Sequence, residues 1–423
     1  MSELKKPSLS VSMIVIGDEI LNGRTTDLNG SWLSKFLFQK GLMLTSIRFI
    51  RDNIDEINST LISALNESDI VITSGGIGPT LDDKTKNTLA SFFKKKIIPR
   101  DDVATIVTDN YSRFGRTWLP SSNHYHHFPE DFMAIRNPRG LAPGLGFFTP
   151  EKKLILSGPG VPREFTEMVE VEFYPVIASY FNDRLKENFQ TVIRTRGVAE
   201  EKIFFELCPT LWEGLEKFGK VSSLPHTIGI DIVVSYEGNQ DIHQEKNKKI
   251  KDLITQTPLA PHVWQWGNTA VNVLVLEQAK KKKCTFSLAE SCTGGLASSK
   301  ITDLSGSSEV FWGSIISYDN SIKESLLNVS AETLKKFGAV SVETATEMAI
   351  GVMKNLKTDY AVSISGIAGP TGGTKEKPIG TVAIGFASKE KSGAHLHHFP
   401  GDRIRLKERF SDMALLTLLE LMD

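Results

Sequence analysis

Ala289-Glu290-Ser291-Cys292-Thr293-Gly294-Gly295 follows the apolar run Thr285-Phe286-Ser287-Leu288 and opens into Leu296-Ala297-Ser298-Ser299-Lys300-Ile301. A strand that feeds a Gly-Gly turn and then a helix presents a hydroxyl and several backbone N–H groups at one point. Such a point suits an anion or an oxyanion, although the same pattern also serves plain packing. A second loop, Gly75-Gly76-Ile77-Gly78-Pro79-Thr80, is followed by Asp82-Asp83. Its glycines let N–H groups approach phosphate oxygens, and its aspartates are of the type that holds a bridging divalent cation. A tight turn before an Asp-capped helix reads equally well from these residues alone.

These loops need a scaffold. The 423 residues suggest about two to four domains. A hydrophobic share of 40% with 23% charged residues is that of a soluble globular chain, and a formal charge of −1 argues against a general polyanion-binding surface. No apolar run is long enough to span a bilayer, and the first residues carry no signal-peptide core. Cys208, Cys284 and Cys292 are few, odd in number and widely spaced, which fits a reduced, cytoplasmic protein without a cysteine zinc site.

Strand and helix patterns alternate at first. Ser12–Ile16, Thr45–Ile50 and Asp69–Thr73 read as strands, with helical faces at Trp32, Leu33, Phe36, Leu37 and at Ile54, Ile57, Leu61, Leu65. Repeated βα units imply a parallel sheet with helices on both faces, and its ligands bind beyond the carboxyl ends of the strands. The character changes over 181–261, where two strands around Thr191–Thr195 and Ile228–Val234 and a lysine-rich helix near Glu245–Lys251 suggest a small α+β module without catalytic residues. From Ala270 the βα alternation returns, with strands expected at Thr285–Leu288, Gly313–Tyr318, Asp359–Ser363 and Thr381–Ala387. The expected architecture is α/β: two three-layer α/β domains, 1–180 and 262–423, joined by the α+β module 181–261.

Several blocks occur together in order: Gly17-Asp18-Glu19-Ile20-Leu21-Asn22-Gly23, Asp27-Leu28-Asn29, the Gly75–Asp83 loop, Asn137–Gly144 and Gly158–Pro162. Further on come Ala289–Gly295, Gly306-Ser307-Ser308, Ser317-Tyr318-Asp319-Asn320, Lys323, Gly338–Ser341, Ser365–Pro370, Gly372-Gly373, Lys377–Gly380 and Gly401-Asp402-Arg403. In these the chain resembles the competence/damage-inducible CinA family. The resemblance implies an N-terminal domain similar to the molybdopterin-binding fold, credited with a metal-dependent ADP-ribose pyrophosphatase activity. It also implies a KH-like middle module and a C-terminal nicotinamide mononucleotide deamidase domain of pyridine nucleotide recycling. A homodimer is expected on the same ground.

Carried onto this sequence, Gly75, Gly76, Gly78 and Thr80 would cradle a diphosphate, and Asp82 and Asp83 would serve the divalent metal. One departure stands out: the family's Asn-Arg-Lys-Gln-Ala type segment is replaced by Ser122-Asn123-His124-Tyr125-His126-His127-Phe128. Adjacent loop histidines are more often solvated bystanders than ligands. In the deamidase half no histidine sits in the motifs, so a Ser-Lys pairing takes the place of Ser-His, and no metal or other cofactor is implied. Lys323 is the expected base. Ser308 is placed ahead of Ser291 as nucleophile, with Ser291 beside it as a nucleotide or oxyanion contact; Cys292 is the rival. Tyr318 would orient the lysine or stack on the nicotinamide ring. Thr293, Gly294, Gly295, Ser365 and Gly366 would contact substrate, and Arg403 would grip the 5′-phosphate, with Lys407 where the family shows another arginine. The other class of function is a molybdopterin- or nucleic-acid-binding protein. Against the latter, the 181–261 module has no Gly-x-x-Gly loop set between basic residues.

Overall fold

The structure is a computed structural model that describes residues 9–80 and 83–423. The chain divides into two compact units, residues 1–190 with 235–246 and residues 191–234 with 247–423. The first unit is built on β1 (Ser10–Ile16), β2 (Met43–Ile50) and β3 (Ile70–Ser74), all parallel. β4 (Ile97–Pro99) and β5 (His127–Pro129) form a separate small ribbon. β6 (Met133–Ile135), β7 (Gly144–Phe148) and β8 (Leu154–Gly158) complete a six-stranded sheet of order β2-β1-β3-β8-β7-β6.

Both faces of that sheet are covered, as its strands require. Val11, Met13 and Val15 pack with Leu33, Phe36 and Leu37, while the alternate residues Ile14 and Ile16 pack with Ile57 and Leu61. An uninterrupted apolar strand is the mark of a sheet buried on both sides. The expectation of a parallel sheet needs one correction. β7 runs antiparallel to β8 and to β6. The β7–β8 connection is a tight turn with Lys152 at φ 62, too short for a parallel crossover.

β9 (Glu187–Thr195), β10 (Lys220–Pro225), β11 (Ile230–Gly238) and β12 (Val263–Trp266) give a sheet of order β10-β11-β9-β12, of which residues 191–195, 220–225, 230–234 and 263–266 belong to the second unit. A five-stranded sheet follows, made of β13 (Phe286–Glu290), β14 (Phe311–Ile316), β15 (Tyr360–Gly366), β16 (Thr381–Ser388) and β17 (Ser392–His398), in the order β14-β13-β15-β16-β17. β14, β13 and β15 are mutually parallel, and β16 and β17 are antiparallel additions. Phe286, Leu288, Val362 and Ile364 bury one face against Phe410, Ala414 and Leu418 of the long helix Arg403–Met422. Ala289 and Ala361 bury the other against Met348 and Val352 of the helix Val342–Leu356. Both large sheets are thus the middle of three layers. Among the described residues no helix is long and apolar enough to cross a membrane.

One glycine sets how closely the helix Val342–Leu356 approaches the site. A methyl group at Gly351 would run into the carbonyl oxygen of Leu327, the last residue of the helix Asn320–Leu327. In a free helix Gly→Ala gains roughly 1 kcal/mol. Here Gly351→Ala is expected to lower stability by about 1–3 kcal/mol, because the backbone behind it cannot yield. Thermal unfolding checks this; an unchanged or raised midpoint would contradict the packing described.

Candidate active site

β13 lies between two parallel neighbours, so its carboxyl end opens where ligands of such sheets bind. Ser291 is the first residue past it, and its N–H donates to the Ile364 carbonyl at 2.9 Å, one step beyond the last strand pair. The chain then turns through Gly294 and Gly295 at φ 62 and 96, values that side chains resist, into the helix Leu296–Thr302. The N–H of Gly294 donates to the Ser291 carbonyl and that of Gly295 to a carboxylate oxygen of Glu290. Both N–H groups are therefore already used. These two glycines shape the turn, and their N–H groups are not free to donate to a substrate.

Lys323 comes to the same point from the next strand. β14 ends at Ile316, and Asp319 caps the helix Asn320–Leu327 by accepting from the Ser321 N–H at 2.9 Å. That start turns Lys323 inward, where it is only 1% exposed. Its Nζ lies 2.8 Å from the Ser317 carbonyl, 3.3 Å from the Tyr318 carbonyl and 3.2 Å from Ser291 Oγ. Burial pushes its pKa below the ordinary lysine value, against an opposing pull from Asp319. A neutral amine has two N–H donors and one lone pair. Nζ donates to both carbonyls and to Ser291 Oγ; if it lost a proton while keeping the two carbonyls, its lone pair would face that hydroxyl.

Tyr318 is 64% exposed, and its hydroxyl lies 3.4 Å from Nη2 of Arg403. Nη1 of Arg403 donates to the Gly369 carbonyl at 2.7 Å, so the guanidinium is held over the loop that leaves β15. Ser365 is buried and its hydroxyl donates to the Ala339 carbonyl at 2.6 Å. Its hydrogen is committed there, and only its lone pairs can meet a carboxamide N–H. Gly366 closes β15 beside Cys292, whose thiolate its backbone N–H would stabilise. Thr293 is fully buried, with a hydroxyl that has no partner among the described residues.

Ser308 is not part of this cluster. It is exposed, in the short turn Ser307–Glu309 that precedes β14. Ser291 follows β13, and the two strands are parallel, so the serines sit at opposite ends of the sheet. A six-residue strand separates those ends by roughly 20 Å. The expected order of the serines is reversed: Ser291 is the one beside the lysine. Glu290 is the residue to which no role was given. It is fully buried, and its oxygens accept from the N–H groups of Gly295, Ala297 and Ser298 and from the Ser298 hydroxyl. A glutamate at a strand end just before a Gly-Gly turn was the available signal.

In the first unit Gly76, Gly78, Asp83, Tyr125, Arg139 and Glu164 are among the residues lining a cavity of about 460 Å³. Asn29 ties its loops together, donating to Ser74 Oγ at 2.8 Å and to the Gly160 carbonyl at 2.9 Å. Gly75 sits at φ 108, with its Cα against the Ile16 carbonyl. Thr80 gives both its N–H and its hydroxyl to Asp83, so the pair forms a closed turn rather than an open cradle. Asp82 lies outside the described residues. A neighbouring cavity of about 400 Å³ is lined by Glu19, Asp52, Gly75 and Asp83. Burial there, together with Asp18, Glu19 and Asp83, pushes the Asp52 carboxyl up to about 6. The His127 ring meets that of His126 edge to face at 4.6 Å and lies tilted to that of His124 at 4.9 Å. Among the described residues no three imidazole, thiol or carboxylate groups form a ready-made metal site.

Cys292 is closed to chemistry. Burial pushes its thiol up to about 12, so at pH 8 a thiolate fraction on the order of 10⁻⁴ is expected. In the folded chain Cys292 should resist iodoacetamide and then alkylate readily in urea, as read by mass spectrometry. Rapid native labelling would show that the loop is not packed as described.

Residues 268–422 match the CinA C-terminal domain, and residues 12–179 match the "Probable molybdopterin binding domain". A "Putative competence-damage inducible protein" of Thermoanaerobacter pseudethanolicus is 34% identical over 404 residues, covering 94% of each chain. A CinA-like protein of Salinibacter ruber is 33% identical over 407 residues, covering 96% of this chain and 98% of that one. The solved competence/damage inducible protein CihA of Agrobacterium tumefaciens is 33% identical, covering 37% of this chain and 98% of its own, with a TM-score of 0.35. Its partial span corresponds to one portion of the present chain. With relatives above 30% identity along nearly its whole length, this chain belongs to the CinA family.

Proposed function

We propose that the second unit hydrolyses the carboxamide of nicotinamide mononucleotide to nicotinic acid mononucleotide and ammonia, in pyridine nucleotide recycling. The observation that carries this reading is the buried Lys323 amine 3.2 Å from Ser291 Oγ at the mouth of a parallel sheet. Neutral Lys323 takes the Ser291 proton as Oγ attacks the carboxamide carbon. The tetrahedral intermediate collapses as the lysine ammonium protonates the departing nitrogen, which leaves as ammonia. Water, deprotonated in turn by Lys323, then cleaves the acyl-serine ester and restores both groups. Side chains supply nucleophile, base and acid, so the proposed reaction needs no metal.

The substrate's two charges fit what surrounds the pair. Its pyridinium ring is a cation, and Tyr318 offers an exposed aromatic face. Its phosphate is a dianion, and Arg403 offers a fork of donors already oriented by Gly369. The amino end of the helix Leu296–Thr302 is taken by Glu290, which leaves Arg403 as the phosphate contact.

Ser291→Ala and Lys323→Arg should each reduce ammonia release about 10³-fold or more, since an arginine there stays protonated. Ser308→Ala should stay close to wild type. The rate should rise with pH as the amine loses its proton and level off below ~10.4, where ordinary lysine titrates. A Lys323→Arg enzyme with normal turnover, or a Ser308→Ala enzyme without it, would overturn the assignment.

A second activity is proposed for the first unit, metal-dependent cleavage of the diphosphate of ADP-ribose, supported by the glycine-lined cavity beside the acidic one. Magnesium is commonly held by one or two carboxylates together with substrate phosphates, so a complete protein ligand set is not needed. Asp83 is the described carboxylate facing both cavities and would hold the cation, which when bound neutralises the diphosphate. ADP-ribose turnover by the intact chain should require added magnesium and fall at least tenfold in Asp83→Asn. Turnover unaffected by chelation would contradict it, and a copurifying pterin would favour the binding-protein reading instead.

A further inference from the structure

Glu290 is the most deeply enclosed carboxylate near the reacting pair. It is 0% exposed, and four hydrogen bonds converge on it. Oε2 accepts from the Gly295 N–H at 3.0 Å and the Ala297 N–H at 3.2 Å. Oε1 accepts from the Ser298 N–H at 2.9 Å and the Ser298 hydroxyl at 2.5 Å. A buried carboxylate without such partners would be strongly unfavourable, and the positive end of the helix Leu296–Thr302 adds to its compensation. No helix-capping side chain is present at Gly295, the residue just before that helix.

Glu290 and Ser291 are consecutive. The backbone at Glu290 is fixed by β13, which pairs with Ile316 on one side and Ile364 on the other. The Ser317 N–H donates to the Glu290 carbonyl at 2.7 Å, and the Ser317 carbonyl accepts from Lys323 Nζ at 2.8 Å. The residue's main chain therefore helps place the base, and its side chain closes the turn that carries the nucleophile. Within that turn the Gly294 and Gly295 N–H groups are spent.

We propose that Glu290 is a positioning residue for the amidase site. Its carboxylate pulls the 291–298 segment into one closed ring, so that Ser291 Oγ meets Lys323 Nζ. The inference rests on Ser291 and Lys323 being the reacting pair. Glutamine cannot replace Glu290, because one oxygen that accepts two hydrogens would become an amide nitrogen that donates two. The mismatch opens the ring by an ångström or so, and a displacement of that size costs on the order of 10²-fold in rate.

The test uses the full chain and two readouts, each expressed per folded molecule. The first is ammonia release from nicotinamide mononucleotide. The second is the rate at which a fluorophosphonate labels Ser291, which reports serine activation without the nucleotide. In Glu290→Gln, kcat and the labelling rate should both fall on the order of 10²-fold, with KM within about threefold because Arg403 and Tyr318 lie off this turn. A purely structural role would lower the amount of folded protein and leave both rates per folded molecule unchanged; that result overturns the proposal. A wild-type Ser291 that does not label also overturns it. If wild type labels but releases no ammonia, the substrate reading fails, and the labelling ratio still decides the role of Glu290. Should Glu290→Gln not fold, Ser298→Ala removes one of the four donors and should slow labelling several-fold. Unchanged labelling in that variant contradicts the proposal.

Discussion

The second unit is organised around the removal of one lysine amine from water. Leaving Lys323 buried and charged would be costly, and among the described residues no carboxylate forms an ion pair with it. Two carbonyls and a serine hydroxyl are what meet it instead. Burial lowers the pKa of the amine, and in the proposed reaction its neutral form is the base for the serine hydroxyl. The parallel trio β14-β13-β15 makes this possible, because the end of each strand delivers one part of the site to the same edge. β13 delivers Ser291, β14 delivers Ser317, Tyr318 and then Lys323, and β15 delivers Ser365 and Gly366.

Much of this scaffold was legible in the sequence. Val11 to Ile16 is apolar at every position but Ser12, and such a run belongs to a sheet covered on both faces. The helices on either side show their faces at i, i+3 and i+4. Some strands that escaped notice have little to bury, whereas β7 and β8 are buried along nearly their whole length and were not read either. β17 reads Ser-Gly-Ala-His-Leu-His-His and lies at the edge of its sheet, where polar residues remain in contact with solvent. β10 carries only one buried residue, Val221. Antiparallel pairing within both large sheets was also hidden, because short connections rather than apolar patterns decide it.

The site was legible in its composition and not in its arrangement. Lys323 lies on a short helix whose pattern is that of an ordinary surface, and only the resemblance singled it out. The Asp319 cap sets where that helix starts, and the Lys323 amine reaches Ser291, Ser317 and Tyr318, a placement no local pattern records. Ser308 illustrates the reverse. It was favoured by its motif, yet it precedes a strand whose parallel neighbour ends in Ser291, so the two cannot share an edge of the sheet. That argument needed only the parallel pairing that the βα repeats already implied. In the first unit the Gly75–Thr80 loop was found where expected, but Thr80 is held by Asp83 instead of standing open.

The proposed reaction uses Lys323 as its base, and the measurement that tests this most directly is the titration of that amine. Following the Lys323 Cε resonance by NMR in isotopically labelled chain, with Lys323→Arg to assign it, gives its pKa without reference to any substrate. The account predicts a midpoint below the ordinary lysine value of ~10.4, and still depressed in Ser291→Ala because burial is the cause. A midpoint at or above that value would leave the amine charged under working conditions and would contradict its role as the base.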